Sequence, residues 1–530
     1  MSSLTKHRAV SIAAWILFAM IAVLWLLTAG YGLIISVKAY QPALCIWGSP
    51  FIGFSKFSEF WRSGDGSNAF ANSFTLSLWG FLGSLLIGGL AAWFIPRIRE
   101  KKRRFMALAA MLVPAFIPSV CWAAGILPGI GQDPQSAAWR YILVEIITHA
   151  SFVGFAGAVF GMILPARGFF NGIAWSAVLW VFLCLTPNFE LTHVLRSPVV
   201  SMDTMDAYAY RIGILQENYN SGAMIQQLKS LLQILLGGVV CAGVYFVFFF
   251  KRKPPIDSVL RELPQISFSA WALPATLITL IFFILFVPTL YLQSYASELW
   301  RQLPMQIVST ALTFLFTLVF SWGLIHALRS MSLFIFAVCA GLLLSLTNPM
   351  VGSLVFFTDT GLMSTIFPGV LTALLNPPCL MLILLSARLS QMGHLHAQPV
   401  WWIALLPASL ASARHWGDAL SPSLYLGNQR FIPFGSLLHM QQTDGSGSNA
   451  LTYFCVLVPA LLSAAAATYG IFRYVDMDKA PVKSLFPEND PFAKNIVYHR
   501  HKNHGDAVSK TAVPPPASDS DVVEQQREPE

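Results

Sequence analysis

Charge is what this sequence of 530 residues lacks most: Asp, Glu, Lys and Arg make up only 11% of it. Soluble globular chains carry about 25%, so the surface is not built to face water all round. There is no GxxxxGK[ST] phosphate loop, which excludes an ATPase motif within this chain. The seven cysteines are Cys45, Cys121, Cys184, Cys241, Cys339, Cys379 and Cys455, and none forms a CxxC pair. Neither a zinc site nor a disulfide framework is supported, and they read as small apolar residues. Residues 9–36 are too long for the apolar region of a signal peptide, and no clean cleavage site follows, so the first span is expected to stay as an anchor. No nucleophile, base and acid stand in a recognisable catalytic pattern, so we expect no enzyme.

What is abundant is apolar: 55% of the residues are hydrophobic, gathered in runs of about 20, enough to cross a hydrocarbon core of roughly 30 Å. Short alternating segments of a β-barrel are not seen. The pattern predicts an all-α polytopic membrane protein with about twelve transmembrane helices. The first six are expected at 11–36, 72–95, 106–128, 140–163, 172–194 and 228–250. The second six are expected at 270–292, 304–327, 332–357, 362–386, 400–425 and 451–474.

The net charge of +8 does not argue for nucleic acid, because the cations cluster at span ends. They are "KHR" at 6–8, "PRIREKKRR" at 96–104, "KRK" at 251–253, and Arg329 and Arg388. The positive-inside rule places these segments and both termini in the cytoplasm. Residues 37–71, 195–227 and 426–450 then lie outside. Each half has a long outer loop before its last span and a fifth span interrupted by polar residues, so 1–250 and 270–474 read as two parallel six-helix repeats. Residues 251–269 form the cytoplasmic linker. The tail 475–530 has little apolar content and reads as disordered, with His499, His501 and His504 incidental to it.

The first outer loop, "YGLIISVKAYQPALCIWGSPFIGFSKF" at 31–57, is dense in aromatic and turn residues. Tyr31, Gly32, Lys38, Tyr40, Pro42, Gly48, Ser49, Pro50, Phe51, Gly53 and Phe57 resemble, in order, the start of permeases from binding-protein-dependent bacterial ABC importers, in the branch that handles polysaccharides and complex oligosaccharides. "NSFTLSLWGFLGSLLIGGLAAW" at 72–93, "DAYAYRIGILQENYNSGAMIQQLKSLLQILL" at 206–236 and "WGDALSPSLYLGNQRFIPFGSLL" at 416–438 are similar to later segments of that family. The resemblance implies a type I ABC permease (MetI-like) fold in the bacterial inner membrane, two permeases fused in one chain. It implies a carbohydrate substrate, an extracytoplasmic substrate-binding protein, and ATP bound by separate ABC ATPase subunits. This chain itself binds no cofactor, and its remaining partner is membrane lipid.

One family feature is missing. The permeases carry a cytoplasmic coupling loop with an "EAA…DGA…P" pattern between their fourth and fifth spans. The corresponding stretches here, "GMILPARGFFNGIAW" at 161–175 and "SARLSQMGHLHAQPVWW" at 386–402, have neither the Glu-Ala-Ala run nor the Asp-Gly pair. The cations Arg97, Arg99, Lys101, Lys102, Arg103 and Arg104 either replace that coupling surface or only fix topology.

Ionisable residues inside spans are costly and mark function or pairing. Glu145 and His149 share a face of the fourth span, where they line a polar path or bond a neighbouring helix. Asn188 and Glu190 interrupt the fifth span, and Arg414 and Asp418 the eleventh. Either Arg414 and Asp418 pair with each other, or Asn188, Glu190 and Asp418 meet sugar hydroxyls with Trp180 and Trp416 as stacking faces. In the outer loop, Tyr31, Lys38, Tyr40, Trp47, Phe51 and Phe57 form a docking surface or an interfacial aromatic belt. Two rival functions stand beside the importer: an ATP-independent transporter of the same descent, and a non-transporting sensor or assembly component.

Overall fold

The computed structural model describes residues 3–98, 100–130, 134–163, 168–186, 189–194, 203–250, 290–291, 296–329, 331–346, 350–392, 400–420, 432–443 and 448–475. Among them the chain is nearly all helix. In order the helices are α1 (Ser3–Ser36), α2 (Cys45–Gly48), α3 (Ser55–Arg62), α4 (Gly64–Phe94), α5 (Lys101–Phe116), α6 (Ser119–Ile130), α7 (Pro134–Ile163), α8 (Gly168–Val181), α9 (Phe189–Val194), α10 (Met205–Tyr210) and α11 (Tyr219–Phe250). Then follow α12 (Ala296–Arg329), α13 (Leu333–Ser345), α14 (Met350–Asp359), α15 (Phe367–Leu374), α16 (Pro377–Met392), α17 (Trp401–Trp416), α18 (Phe434–Thr443) and α19 (Ala450–Tyr474). Leu290–Tyr291 and Ser448–Asn449 pair as a two-residue parallel ladder just before α19.

Six helices among the described residues are long and apolar enough to span a membrane, and three bent pairs raise that to nine. The single spans are Val10–Ser36, Gly64–Arg97, Trp139–Ile163, Tyr219–Gly243, Trp300–Arg329 and Ala450–Tyr474. The expected third span, 106–128, is broken: α5 and α6 meet at 86°. Proline explains the break. Pro118 has no N–H to give, and it pushes Ile117 out of the helical region, to ψ 123. The expected ninth span bends by 76° between α13 and α14, and the tenth by 51° before Pro377. The fifth and eleventh contain helices of only 14 and 16 residues, α8 and α17. At 1.5 Å per residue these are shorter than the hydrocarbon core. The expected seventh span lies outside the described residues except for 290–291, as does the tail after Val475.

Packing depends on small residues where helices cross, because lipid gives apolar side chains no incentive to leave it. α7 lies between α4 and α8, and Gly88 on α4 and Gly172 on α8 leave no room for a Cβ against its backbone. α1 packs only lightly on its sequence neighbour α2. It lies against α11, α12 and α14. A Cβ on Gly352 of α14 would stand 2.7 Å from the Thr28 carbonyl of α1. Buried Tyr, Phe, Leu and Ile side chains from residues 91–189 and 324–475 form one continuous core.

Candidate functional site

The break between α5 and α6 gathers polar groups from residues 115–190 and 414–419. Ser119, the first residue of α6, donates to Glu190 Oε2 at 2.8 Å. The backbone N–H of Ala419 donates to Glu190 Oε1 at 3.0 Å. Arg414 Nη1 stands 3.8 Å from Glu190 Oε2, and its Nη2 donates to the Ala115 carbonyl at 3.3 Å. That carbonyl belongs to the last turn of α5, where the ladder of the helix is lost. A carboxylate facing the start of α6, and a guanidinium at the end of α5, both suit the partial charges of those termini. Arg414 thus reaches across to Glu190 instead of serving only as a partner for Asp418.

Asp418 holds the chain as it leaves α17. Its Oδ1 accepts from the Leu420 N–H at 2.9 Å, a side-chain turn that Asp favours. Its own carbonyl accepts from Ser436 Oγ at 2.9 Å. Here the backbone of α18 is pressed onto the turn: a Cβ on Gly435 would land on the Gly417 carbonyl and 2.9 Å from the Asp418 nitrogen. Gly435→Ala is therefore expected to cost about 1–3 kcal/mol, the range for overpacking, as a fall in thermal unfolding midpoint. Gly238→Ala, where nothing lies within 4 Å, is the matched control and should not destabilise.

The second polar group lies on α7. Tyr141 donates to Glu145 Oε1 at 2.8 Å, and His149 Nδ1 stands 3.1 Å from Glu145 Oε2. Of the two stacking candidates, Trp180 joins this group: it stacks on Phe81 at 4.4 Å and meets His149 edge-on. It is buried to 4% exposure, as a wedge between helices. Trp416 stays at the junction, edge-on to Phe434, with its Nε1 donating to the Cys455 carbonyl at 2.8 Å. The candidates divide into Glu190, Trp416 and Asp418 at the junction, and Glu145, His149 and Trp180 on α7. Asn188 lies outside the described residues.

Sequence reading missed one buried pair altogether. Lys229 Nζ on α11 stands 2.5 Å from Asp206 Oδ1 on α10, both side chains 2% exposed. The signal was present in the quoted stretch 206–236: Lys229 is a base set within an apolar helical run, and Asp206 an acid that needs a partner. Gln226, one turn earlier, accepts from the Val351 N–H at the start of α14, so this face of α11 also holds α14.

The segment 31–57 closes on itself. Lys38 donates to the Ile46 and Trp47 carbonyls at 2.8 and 3.3 Å, and the strand-like pairing of Lys38 with Phe51 closes the loop. Tyr40 donates to Asp359 Oδ1 at 3.0 Å and meets Tyr219 edge-on. Burial, and then the Asp359 carboxylate, push its hydroxyl pKa up. Tyr31 packs edge-on to Phe356, and Phe57 packs on Phe54. Trp47, Phe51 and Phe54 remain 78%, 71% and 70% exposed. The loop's aromatics therefore split between packing inward and facing out.

α7 and α8 are separated only by residues 164–167. The basic segment is largely engaged within the chain. Arg97 donates to the Trp93 carbonyl and lies over its ring. Arg104 donates twice to the Ile98 carbonyl. Arg103 pairs with Glu100, and Lys101 lies 5.6 Å over Phe472. Lys102 is exposed, and Arg99 lies outside the described residues. Among the described residues, no group of three or more His, Cys, Asp or Glu could hold a metal ion. No known family model matches the chain, and no curated protein or solved structure matches it either.

Proposed function

We propose that the chain is a permease of the binding-protein-dependent importer lineage: two six-span repeats in one polypeptide, offering a path across the membrane to a carbohydrate. The observation that carries this reading is reciprocal packing. α5 lies against α19 as α13 lies against α11, and α6 touches α19 as α14 touches α11. Within each half the contacts α4–α7 and α7–α8 have their counterparts in α12–α16 and α16–α17. Such an exchange of partners is what two copies related by a two-fold axis produce. The polar junction then lies between the copies, at a helix discontinuity, with Trp416 beside Glu190 and Asp418. Exposed Trp47, Phe51 and Phe54 suit an outer face for a substrate-binding protein.

Two sources of drive fit this lineage, and the geometry favours one. A coupling helix of the kind that seats in an ATPase needs chain between the fourth and fifth spans, and only residues 164–167 separate α7 from α8. A motor moves a partner only through a contact that differs between its two states. The ATP-independent mode is therefore the better reading of energy source. It is tested by pull-down of the full chain from native membranes in mild detergent. We expect a carbohydrate-binding protein to co-purify without an ABC ATPase. A stoichiometric ATPase would overturn the ATP-independent reading and make Lys102 the first residue to substitute. Recovery of neither partner, with no carbohydrate uptake by reconstituted vesicles, would overturn the permease reading itself.

A further inference from the structure

Tyr141, Glu145 and His149 lie four residues apart on α7 and so stand one above another on a single face. Each carboxylate oxygen of Glu145 meets one of them, Oε1 the Tyr141 hydroxyl and Oε2 the His149 ring. His149 Nδ1 is also 2.8 Å from the Glu145 carbonyl, which fixes the ring. Glu145 is 2% exposed, while the His149 side chain is 20% exposed. The ladder therefore runs from a partly open imidazole to a closed carboxylate. Gly80 of α4 faces both groups: a Cβ there would stand 3.7 Å from Glu145 Cβ and 3.8 Å from His149 Nδ1.

Histidine is the side chain whose charge changes near neutral pH. With the proton on, His149 and Glu145 sum to zero charge. With it off, the pair carries one negative charge. Arg414 is close enough to interact electrostatically with both ladder groups, and with Glu190 and Asp418. The same guanidinium holds Glu190 and the Ala115 carbonyl at the break between α5 and α6. One cation on α17 thus contacts the junction and lies within electrostatic reach of the ladder.

We propose that the Tyr141–Glu145–His149 ladder is a proton-binding site whose charge Arg414 senses, so that proton binding and closure of the junction between the two halves are linked. The inference rests on the proposed reading that the halves move against each other. The direction follows from the charges. A protonated ladder is neutral and leaves Arg414 to Glu190, which closes the junction. A deprotonated ladder competes for Arg414 and loosens it. By linkage, closing the junction raises the affinity for the proton by the same factor. A proton suits the site better than a metal cation, because the Glu145 oxygens face O–H and N–H donors instead of presenting lone pairs to an ion.

Other titratable groups surround the junction. Glu190 and His193 lie on α9, Cys121 on α6, Arg414 and His415 on α17, Asp418 after it, His439 on α18 and Tyr453 on α19. His415 is engaged with Ser309 Oγ at 3.1 Å. His193 and His439 meet with ring centroids 5.7 Å apart and planes tilted by 49°, and His193 supplies the control.

The test uses the full chain in nanodiscs, with native cysteines replaced and spin labels at Trp139→Cys and Met440→Cys. Both sites are exposed, one on α7 and one on α18. Distance distributions are recorded between about pH 5 and 8, the window in which histidine titrates. We expect a second, longer population to grow about fivefold with rising pH, the lower range of allosteric coupling. The His149→Gln and Glu145→Gln variants should lose this response, and His193→Gln should keep it. Among the eleven imidazoles, the ¹⁵N spectrum of labelled histidine in the wild-type protein should show one signal that changes protonation in the same window and is missing from His149→Gln. A pH response that survives His149→Gln would overturn the ladder while leaving the moving halves intact. An imidazole that titrates with no change in distance would overturn the linkage, and would count against the two-half reading as well. A response that requires sodium at constant pH would overturn the proton as the ligand.

Discussion

Lys229→Met is expected to cost the folded protein about 3–5 kcal/mol, the penalty for stranding one member of a buried ion pair. Its partner Asp206 is 2% exposed, and Asp206 Oδ2 has no hydrogen-bond partner, so the orphaned carboxylate could find no relief within the protein. The double variant Lys229→Met with Asp206→Leu should return most of that stability, because two apolar groups of similar volume need no mutual compensation. The measurement is the thermal midpoint in mild detergent, followed by monodispersity on size exclusion. A single variant as stable as wild type would show that the pair is solvated. The damage should spread, because α10 and α11 are held to neighbours through this segment. Met205 N–H donates to Ser73 Oγ of α4 at 2.8 Å, and Gln226 caps the start of α14.

Arg414→Met is expected to cost about 3 kcal/mol for the same physical reason, but with a different signature. It removes a donor from the broken end of α5 as well as the cation facing Glu190. Adding Glu190→Gln should recover part of the loss by removing the stranded charge, while the Ala115 carbonyl stays unsatisfied. Incomplete rescue separates the two contributions, and complete rescue would show that the Ala115 contact adds nothing. The same thermal midpoints decide it, compared as a double-mutant cycle.

The long single helices were legible because an apolar run of span length has few other fates. α1, α4, α7, α11, α12 and α19 each cover an expected span. The broken spans were not legible, although their causes were in plain view. Pro118 and Pro377 sit in apolar stretches, and hydropathy counts proline as no interruption. The shortness of α8 and α17 was also hidden, since polar residues flagged trouble there without giving its geometry.

For the site, sequence reading found Glu190, Asp418, Glu145 and His149 because charge is conspicuous in an apolar chain. It could not show that Arg414 turns to Glu190, nor that Ser119 and the Ala419 N–H complete the group. Those contacts join residues far apart in sequence, and only packing specifies them. Trp180 and Trp416 looked equivalent on paper. The first fills space between helices, and the second marks the junction. Among the loop aromatics, alternation of turn residues gave no hint that Tyr40 faces Asp359 while Trp47 faces out.

The position of α1 carries a consequence for how the chain is made. Its packing partners α12 and α14 begin more than 250 residues downstream of its own end. At translation rates of about 5–20 residues per second, tens of seconds pass between insertion of α1 and the arrival of those helices. During that interval Thr28 and Gly32, which meet Gly352 backbone to backbone, face only lipid or the insertion machinery. The amino-terminal half therefore cannot complete its assembly first and wait. Maturation is gated by the last part of the chain to be synthesised, and a polypeptide truncated in its second half leaves its first helix exposed to membrane quality control.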